Sequence, residues 1–159
     1  MSKYSAKIVW EKAATESFVD NQYSRAHRWC FDGGLTVAAS SSPQVVPLPF
    51  SVEENVDPEE AFIASLSSCH MLFLLSIAAK RGYVIERYVD DADGLMEVDS
   101  SGKVSMTQVT LKVAIDFSGT KQPTFAQLEK MHHLAHQQCF IANSVKTLVT
   151  TQIVLTAVS

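Results

Sequence analysis

The sequence predicts an α+β fold, and three segments carry that prediction. A long apolar run from Ala61 to Ala79 is bracketed by a full set of helix-end signals. Ahead of it, two β-prone runs flank Asp32-Gly33-Gly34. Behind it, Ser105 to Phe117 alternates apolar and polar residues. Strands that cluster between helices, instead of alternating strictly with them, fit α+β better than a doubly wound α/β sheet.

Ala6 to Trp10 reads as a first strand. Arg28 to Phe31 and Leu35 to Ala39 form a hairpin, because glycine accepts the positive φ that a tight turn requires. Ser40 to Phe50 holds Pro43, Pro47 and Pro49 and reads as an extended connector. Asp57 is placed to cap the long helix, with Pro58 at its first position, where a missing N–H costs little. Glu59 and Glu60 complement the positive end of the helix dipole; Lys80 and Arg81 complement the negative end, and Gly82 stops the helix.

Tyr83 to Val98 reads as strand with a break near Asp90 to Asp93. In the run to Phe117, the odd-numbered residues from Val109 share one face. Pro123-Thr124 opens a second helix, in which Phe125, Leu128, Met131 and Ala135 recur at helical spacing. A short helical segment from Phe140 to Lys146 follows Cys139, and Thr147 to Ala157 closes the chain as a strand. The resulting order is β-β-β-α-β-β-α-β.

A chain of 159 residues fits a single domain over residues 1–159. Apolar residues make up 47% and charged residues only 19%, which favours much buried surface and room for a subunit interface. The net charge is -4 and no Lys/Arg cluster exceeds two consecutive residues, so nucleic acid is not an expected partner. The N-terminus shows no apolar stretch of signal-peptide length, and three cysteines are too few for a secreted disulfide scaffold. Both point to a cytoplasmic protein with reduced thiols. The Ala61–Ala79 run is long enough for a membrane span. Ser65, Ser67, Ser68, His70 and Ser76 interrupt it, so a buried central helix is the expectation, with no membrane partner.

Two cysteines far apart in a small chain, each in a helix-like setting, suggest redox chemistry more than a structural staple. Cys69 sits within the apolar run, near Ser65, Leu66, Leu72 and Phe73 on a helical surface. A reactive role requires a thiolate, hence a nearby cation. None lies on the same helix face, which leaves Arg25, His27 and Arg28 as candidates. A buried structural thiol is the competing reading. Cys139 precedes a short helix, whose free N–H groups would favour a thiolate. Cys30, between Trp29 and Phe31 in a strand, is read as a packing residue. His132, His136 and Cys139 recur on nearly one helix face and form a rival, metal-binding set, which needs a further ligand. Glu59 and Glu60 are sufficiently explained as dipole partners. No phosphate-binding glycine loop or Ser-His-acid elbow is visible.

The segment from Asp57 to Cys69 resembles the central-helix motif of the OsmC/Ohr family, the osmotically inducible and organic hydroperoxide resistance group of thiol peroxidases. Cys139-Phe140-Ile141-Ala142-Asn143-Ser144 resembles its second cysteine motif, and Tyr23 to Gly34 the N-terminal segment of one OsmC-like branch. The resemblance runs over nearly the whole chain in the right order.

It implies an OsmC-like fold: an intertwined homodimer with long buried central helices on antiparallel-rich sheets and two sites at the subunit interface. It implies Cys69 as the peroxidatic thiolate and Cys139 as the resolving thiol. Arg25 (Arg28 as the fallback) would stabilise the thiolate, and Glu59 would hold that arginine. Glu59 precedes Cys69 by about 15 Å of helix, so either Arg25 bridges the gap or Glu59 comes from the partner subunit. Two departures stand out: Phe140 replaces the usual proline, and Ser24-Arg25-Ala26-His27 replaces a glycine-arginine-aspartate-glycine setting. They favour a general OsmC-like member over a strict organic hydroperoxide reductase.

The implied activity is reduction of organic hydroperoxides to alcohols, with an external dithiol as reductant and no cofactor or metal. Phe62, Leu66, Leu72 and Phe73 are the expected apolar contacts of the substrate. A non-catalytic stress or binding module and a metal-binding protein are the alternatives.

Overall fold

Two short turns and an aromatic cluster organise the first part of the chain. The computed structural model describes residues 1–156, which fall into two compact units that meet in sequence at Ala61/Phe62. In the first unit, β1 (Ala6–Val9), β2 (His27–Phe31) and β3 (Thr36–Ala39) form an antiparallel sheet in that order. The hairpin turns where expected. Gly34 adopts φ 90°, and the Phe31 amide donates to the Leu35 carbonyl at 2.9 Å. β1 ends one residue before the expected Trp10. That indole instead packs on Phe18 and Tyr23 and donates its N–H to the Ser24 carbonyl at 2.9 Å.

Helix α1 (Pro58–Lys80) begins in the first unit and continues through the second. The Asp57 carboxylate accepts from the Glu60 amide at 2.8 Å, as the capping reading requires. At the other end Gly82 takes φ 78°, and the Tyr83 amide reaches back to the Ala78 carbonyl at 3.0 Å.

The second unit is built on one long strand, β6 (Val104–Ser118). β4 (Val84–Asp90) and β5 (Asp93–Val98) run antiparallel to its two halves, with Asp90 opposite Val113 and Asp93 opposite Thr110. They are one strand path broken at Asp91-Ala92, so three strands stand between the helices where the sequence order counted two. β7 (Leu148–Val154) pairs in parallel with Gln108–Ala114 of β6. Since β4 and β5 occupy one edge of that stretch, β7 takes the other. The sequence expectation for this last strand extended to Ala157, which lies outside the described residues.

Helix α2 (Phe125–Gln138) opens with a capping box. The Thr124 hydroxyl accepts from the Gln127 amide, and the Gln127 side chain accepts from the Thr124 amide. Beyond it, helical structure is limited to one 3-10 turn, Ala142–Ser144, shorter than the expected Phe140–Lys146.

The alternation of β6 does what its period dictates. Val109, Leu111, Val113 and Ile115 are buried on one face. They form a core with Leu66, Leu74 and Ala78 of α1 and with Leu128, Met131 and Ala135 of α2. By length and composition α1 could cross a membrane. Within the chain it buries one stripe, Leu66, His70, Leu74 and Ala78, spaced at i, i+4. Leu72 stays 60% exposed, while Phe62, Ile63, Phe73 and Ile77 are half-buried. The expected central helix is therefore buried along a single stripe, not all round.

Candidate thiol site

The second unit brings Cys69 and Cys139 together. Both are free thiols, and Cys69 lies close enough to Cys139 to push its thiol pKa up. Cys69 is half-buried on α1, one position before the buried stripe residue His70. Cys139 is 1% exposed and caps the C-terminus of α2 in an extended conformation, φ -65° and ψ 110°. That conformation turns the chain out of the helix and lets the Ala142 amide donate to Cys139 Sγ at 3.4 Å.

The expectation that backbone N–H groups favour a Cys139 thiolate holds only as a local contribution. Burial pushes the thiol up most, and the amides of Ala142 and Ile141 pull it down. The Cys69 neighbour pushes it up again, so the net direction is upward. Cys139 rests as a thiol.

Phe140, which stands where the family's proline would be, packs edge-to-face on Phe73 with ring centroids 5.0 Å apart. Phe73 lies one helical turn beyond Cys69, so this aromatic contact ties the turn bearing Cys139 to α1 near Cys69.

A second polar contact joins the two cysteine-bearing helices. His70 Nε2 lies 2.9 Å from His132 Nδ1, with both side chains buried and the ring planes 12° apart. Each pKa is lowered to about 4, by burial for both and, for His70, also by the neighbouring His132 and His136. Both imidazoles are therefore neutral at pH 7. Sequence reading missed His70. Its signal was its position in the Leu66–Leu74 stripe, where a lone histidine among apolar residues needs a partner.

The rival metal set is not assembled as expected. His132 is committed to His70, and Cys139 to Cys69. Among the described residues no group of three His, Cys, Asp or Glu side chains is arranged to hold a metal ion. The expected substrate contacts separate. Leu66 is 1% exposed in the core, so it is corrected from a substrate contact to a packing residue. Leu72 faces outward, and Phe62 and Phe73 pack half-buried against the core.

The first unit holds the remaining candidates. Arg25 lies over the Tyr23 ring, 3.7 Å from its centroid. Its guanidinium donates to Asn21 Oδ1 at 2.8 Å, to the Asn21 carbonyl at 3.0 Å, and to the Tyr23 carbonyl. Arg25 and Glu59 line one cavity of about 500 Å3 with Trp10, Phe18, Tyr23 and His27. Among the described residues no ion pair joins Arg25 to Glu59 within the chain; Asn21 and Tyr23 hold the guanidinium. His27 is fixed as one tautomer. Trp29 donates to its Nε2 at 3.1 Å, which leaves Nδ1–H to donate to the Arg25 carbonyl at 2.7 Å. Arg28 is exposed on β2, and Cys30 is half-buried on the same strand.

Comparison with known proteins gives a consistent answer. Residues 52–154 match the family model described as OsmC-like protein. The structure is similar to an OsmC-like protein of unknown function from Vibrio cholerae. That match has a TM-score of 0.96 and 60% identity, covering 97% of this chain and 100% of the other. It is also similar to an organic hydroperoxide resistance protein from Elizabethkingia anophelis, with TM-score 0.66, 15% identity, and 98% and 97% of the two chains covered. A third is the organic hydroperoxide resistance protein OhrB of Bacillus subtilis, with TM-score 0.63, 19% identity, and 96% and 98% covered. No curated protein matches the chain. The last two likenesses speak to the fold, whereas the family model and the 60% identical relative settle kinship. The chain therefore belongs to the OsmC/Ohr family, as an OsmC-like member.

Proposed function

We propose that the protein is a thiol-dependent peroxidase that reduces organic hydroperoxides to alcohols. The observation that carries this reading is that Cys69 and Cys139 are free thiols lying close enough to influence each other. Cys69 is the more accessible of the two, so it meets the peroxide first. Its thiolate attacks the distal oxygen; the O–O bond breaks, and the alkoxide leaves as alcohol after taking a proton. Cys69 becomes a sulfenic acid. The Cys139 thiol then displaces the hydroxyl, which leaves as water, and a Cys69–Cys139 disulfide forms. An external dithiol reduces it by exchange and is itself oxidised.

Arg25 is the proposed cation for the thiolate and the developing negative charge, and Glu59 its carboxylate partner. Both border the same aromatic-lined cavity of the first unit, which supports this assignment. Phe62, Leu72 and Phe73 remain the proposed apolar contacts for an alkyl tail. The unburied apolar side of α1, with Leu72 exposed, supports a homodimer. The setting proposed is the cytoplasm, without cofactor, nucleic acid or membrane.

The test is intact mass under non-reducing conditions after a single equivalent of cumene hydroperoxide. Wild type is expected to lose two hydrogens rapidly, and neither Cys69→Ser nor Cys139→Ser should do so. Oxidation no faster than that of a free thiol would overturn the peroxidase and leave a non-catalytic binding module. A persistent sulfenic acid in wild type would remove Cys139 from the cycle.

A further inference from the structure

We infer that His70 and His132 form a buried clamp that holds the two cysteine-bearing helices in register, so that Cys69 and Cys139 stay within bonding reach. This rests on the proposed pairing of the two thiols and adds two positioning residues to it.

His70 directly follows Cys69 on α1. His132 precedes Cys139 by seven residues, two turns along the same face of α2. Among the described residues, the bond between His70 Nε2 and His132 Nδ1 is the only hydrogen bond that runs from α1 to α2. Buried apolar residues stand near it along both helices, Leu66 and Leu74 on one and Leu128, Met131 and Ala135 on the other, and His136 of α2 is close enough to act on His70. Apolar packing is non-directional and tolerates sliding of one helix along another. A hydrogen bond between two rigid rings does not. Moving either helix by one turn would strand both nitrogens in the core.

The outer nitrogens, His70 Nδ1 and His132 Nε2, are already buried without a protein partner. A fold that leaves two such atoms unsatisfied gains little net stability from the pair. Registration of the helices accounts for its presence better than stability does. The Phe73–Phe140 contact is a second, aromatic link between α1 and the turn that bears Cys139.

The pair has two neutral arrangements. Either His70 Nε2–H donates to His132 Nδ1, or the reverse; one proton occupies the bond in both. A clamp needs only this one donor and one acceptor at the right places. Side-chain amides can supply them: glutamine puts its amide near the Nε2 position and asparagine near the Nδ1 position.

The experiment measures the equilibrium of the Cys69–Cys139 disulfide against reduced and oxidised glutathione, with mass mapping of the bridge. It yields the effective concentration of the two thiols. The matched double variant His70→Gln/His132→Asn should stay within about threefold of wild type, because the bond is rebuilt. The mismatched variant His70→Asn/His132→Gln carries the same groups in positions that cannot meet. It should fall about tenfold or more. Should the mismatched variant fail to fold by circular dichroism, His70→Leu takes its place with the same expected fall.

Equal values for matched and mismatched variants would overturn the clamp. So would a matched variant as low as the mismatched one, or a wild type that forms no such bridge. No peroxide enters this equilibrium. A tight bridge in a protein inert to hydroperoxide would sink the peroxidase and keep the clamp. A fast peroxidase with matched and mismatched variants alike would do the reverse.

Discussion

Cys69 and Cys139 meet through opposite kinds of backbone. Cys69 stands inside α1, where every neighbouring amide N–H already serves a carbonyl four residues back. The helix offers its sulfur no donor and leaves it partly open to solvent. Cys139 stands where α2 ends, so the amide of Ala142 is free to reach its sulfur. It is nevertheless fully buried, and burial outweighs the amides. A donor at a thiol does not by itself make a thiolate; the balance against desolvation decides. The contrast assigns the order of events in the proposed cycle, with the open sulfur reacting first and the buried thiol second.

The sharpest way to break this comparison is to remove one sulfur at a time and follow peroxide consumption. Cys69→Ser is expected to lose about 10³-fold or more in rate, since no other thiol is placed to attack. Cys139→Ser should keep the first oxidation within a few-fold and accumulate sulfenic acid, visible with a dimedone-type trap. Equal first-step losses in both variants would erase the division of labour.

A second comparison concerns the two leucines that flank Cys69 on α1. Leu66→Ala is expected to destabilise by about 3 kcal/mol, because it opens a cavity in the core. Leu72→Ala should cost well under about 1 kcal/mol within the chain, since its side chain is exposed. Urea midpoints for the two variants test this. A large loss at Leu72 would instead indicate that another surface covers it, as a homodimer would.

The His70–His132 link predicts an acid limb of stability. Both histidines have folded-state pKa values lowered to about 4 from 6.5. Between those values the unfolded chain binds protons that the folded pair refuses. Stability from this pair is therefore full above pH 6.5 and is lost as pH falls through 4. The loss is read as a urea midpoint that falls as pH drops from 6.5 towards 4. The matched amide variant, His70→Gln/His132→Asn, should flatten that limb. An unchanged limb in that variant would assign the effect to other groups.

The smallest expected effect is at Phe140. Phe140→Ala removes the edge-to-face contact with Phe73 and should cost about 1 kcal/mol. It should also lower the effective concentration of the Cys69–Cys139 bridge several-fold while leaving the first oxidation of Cys69 unchanged. A bridge unaffected by this substitution would mean that the turn after Cys139 is held by its backbone alone.

Much of this molecule was legible before any coordinates. Asp57, Pro58 and Gly82 marked the ends of α1 because capping is a local transaction between a side chain and the nearest free amides. Thr124 did the same for α2. The alternation from Val109 to Ile115 announced its buried face, because strand geometry puts every second side chain on the same side. The two cysteine motifs identified the family. What periodicity could not supply was the partner of each group. His70 read as an interruption in an apolar helix, and only the tertiary structure paired it with a histidine 62 residues away. Leu66 and Leu72 flank Cys69 alike in sequence, yet one is core and the other surface, because α1 buries a single stripe. The fate of Arg25 was equally hidden: within the chain its guanidinium is held by Asn21 and Tyr23. Capping and alternation are set within a few residues of chain. Pairing of buried polar groups, burial of one helix face and the charge state of a thiol depend on what the rest of the chain brings next to them.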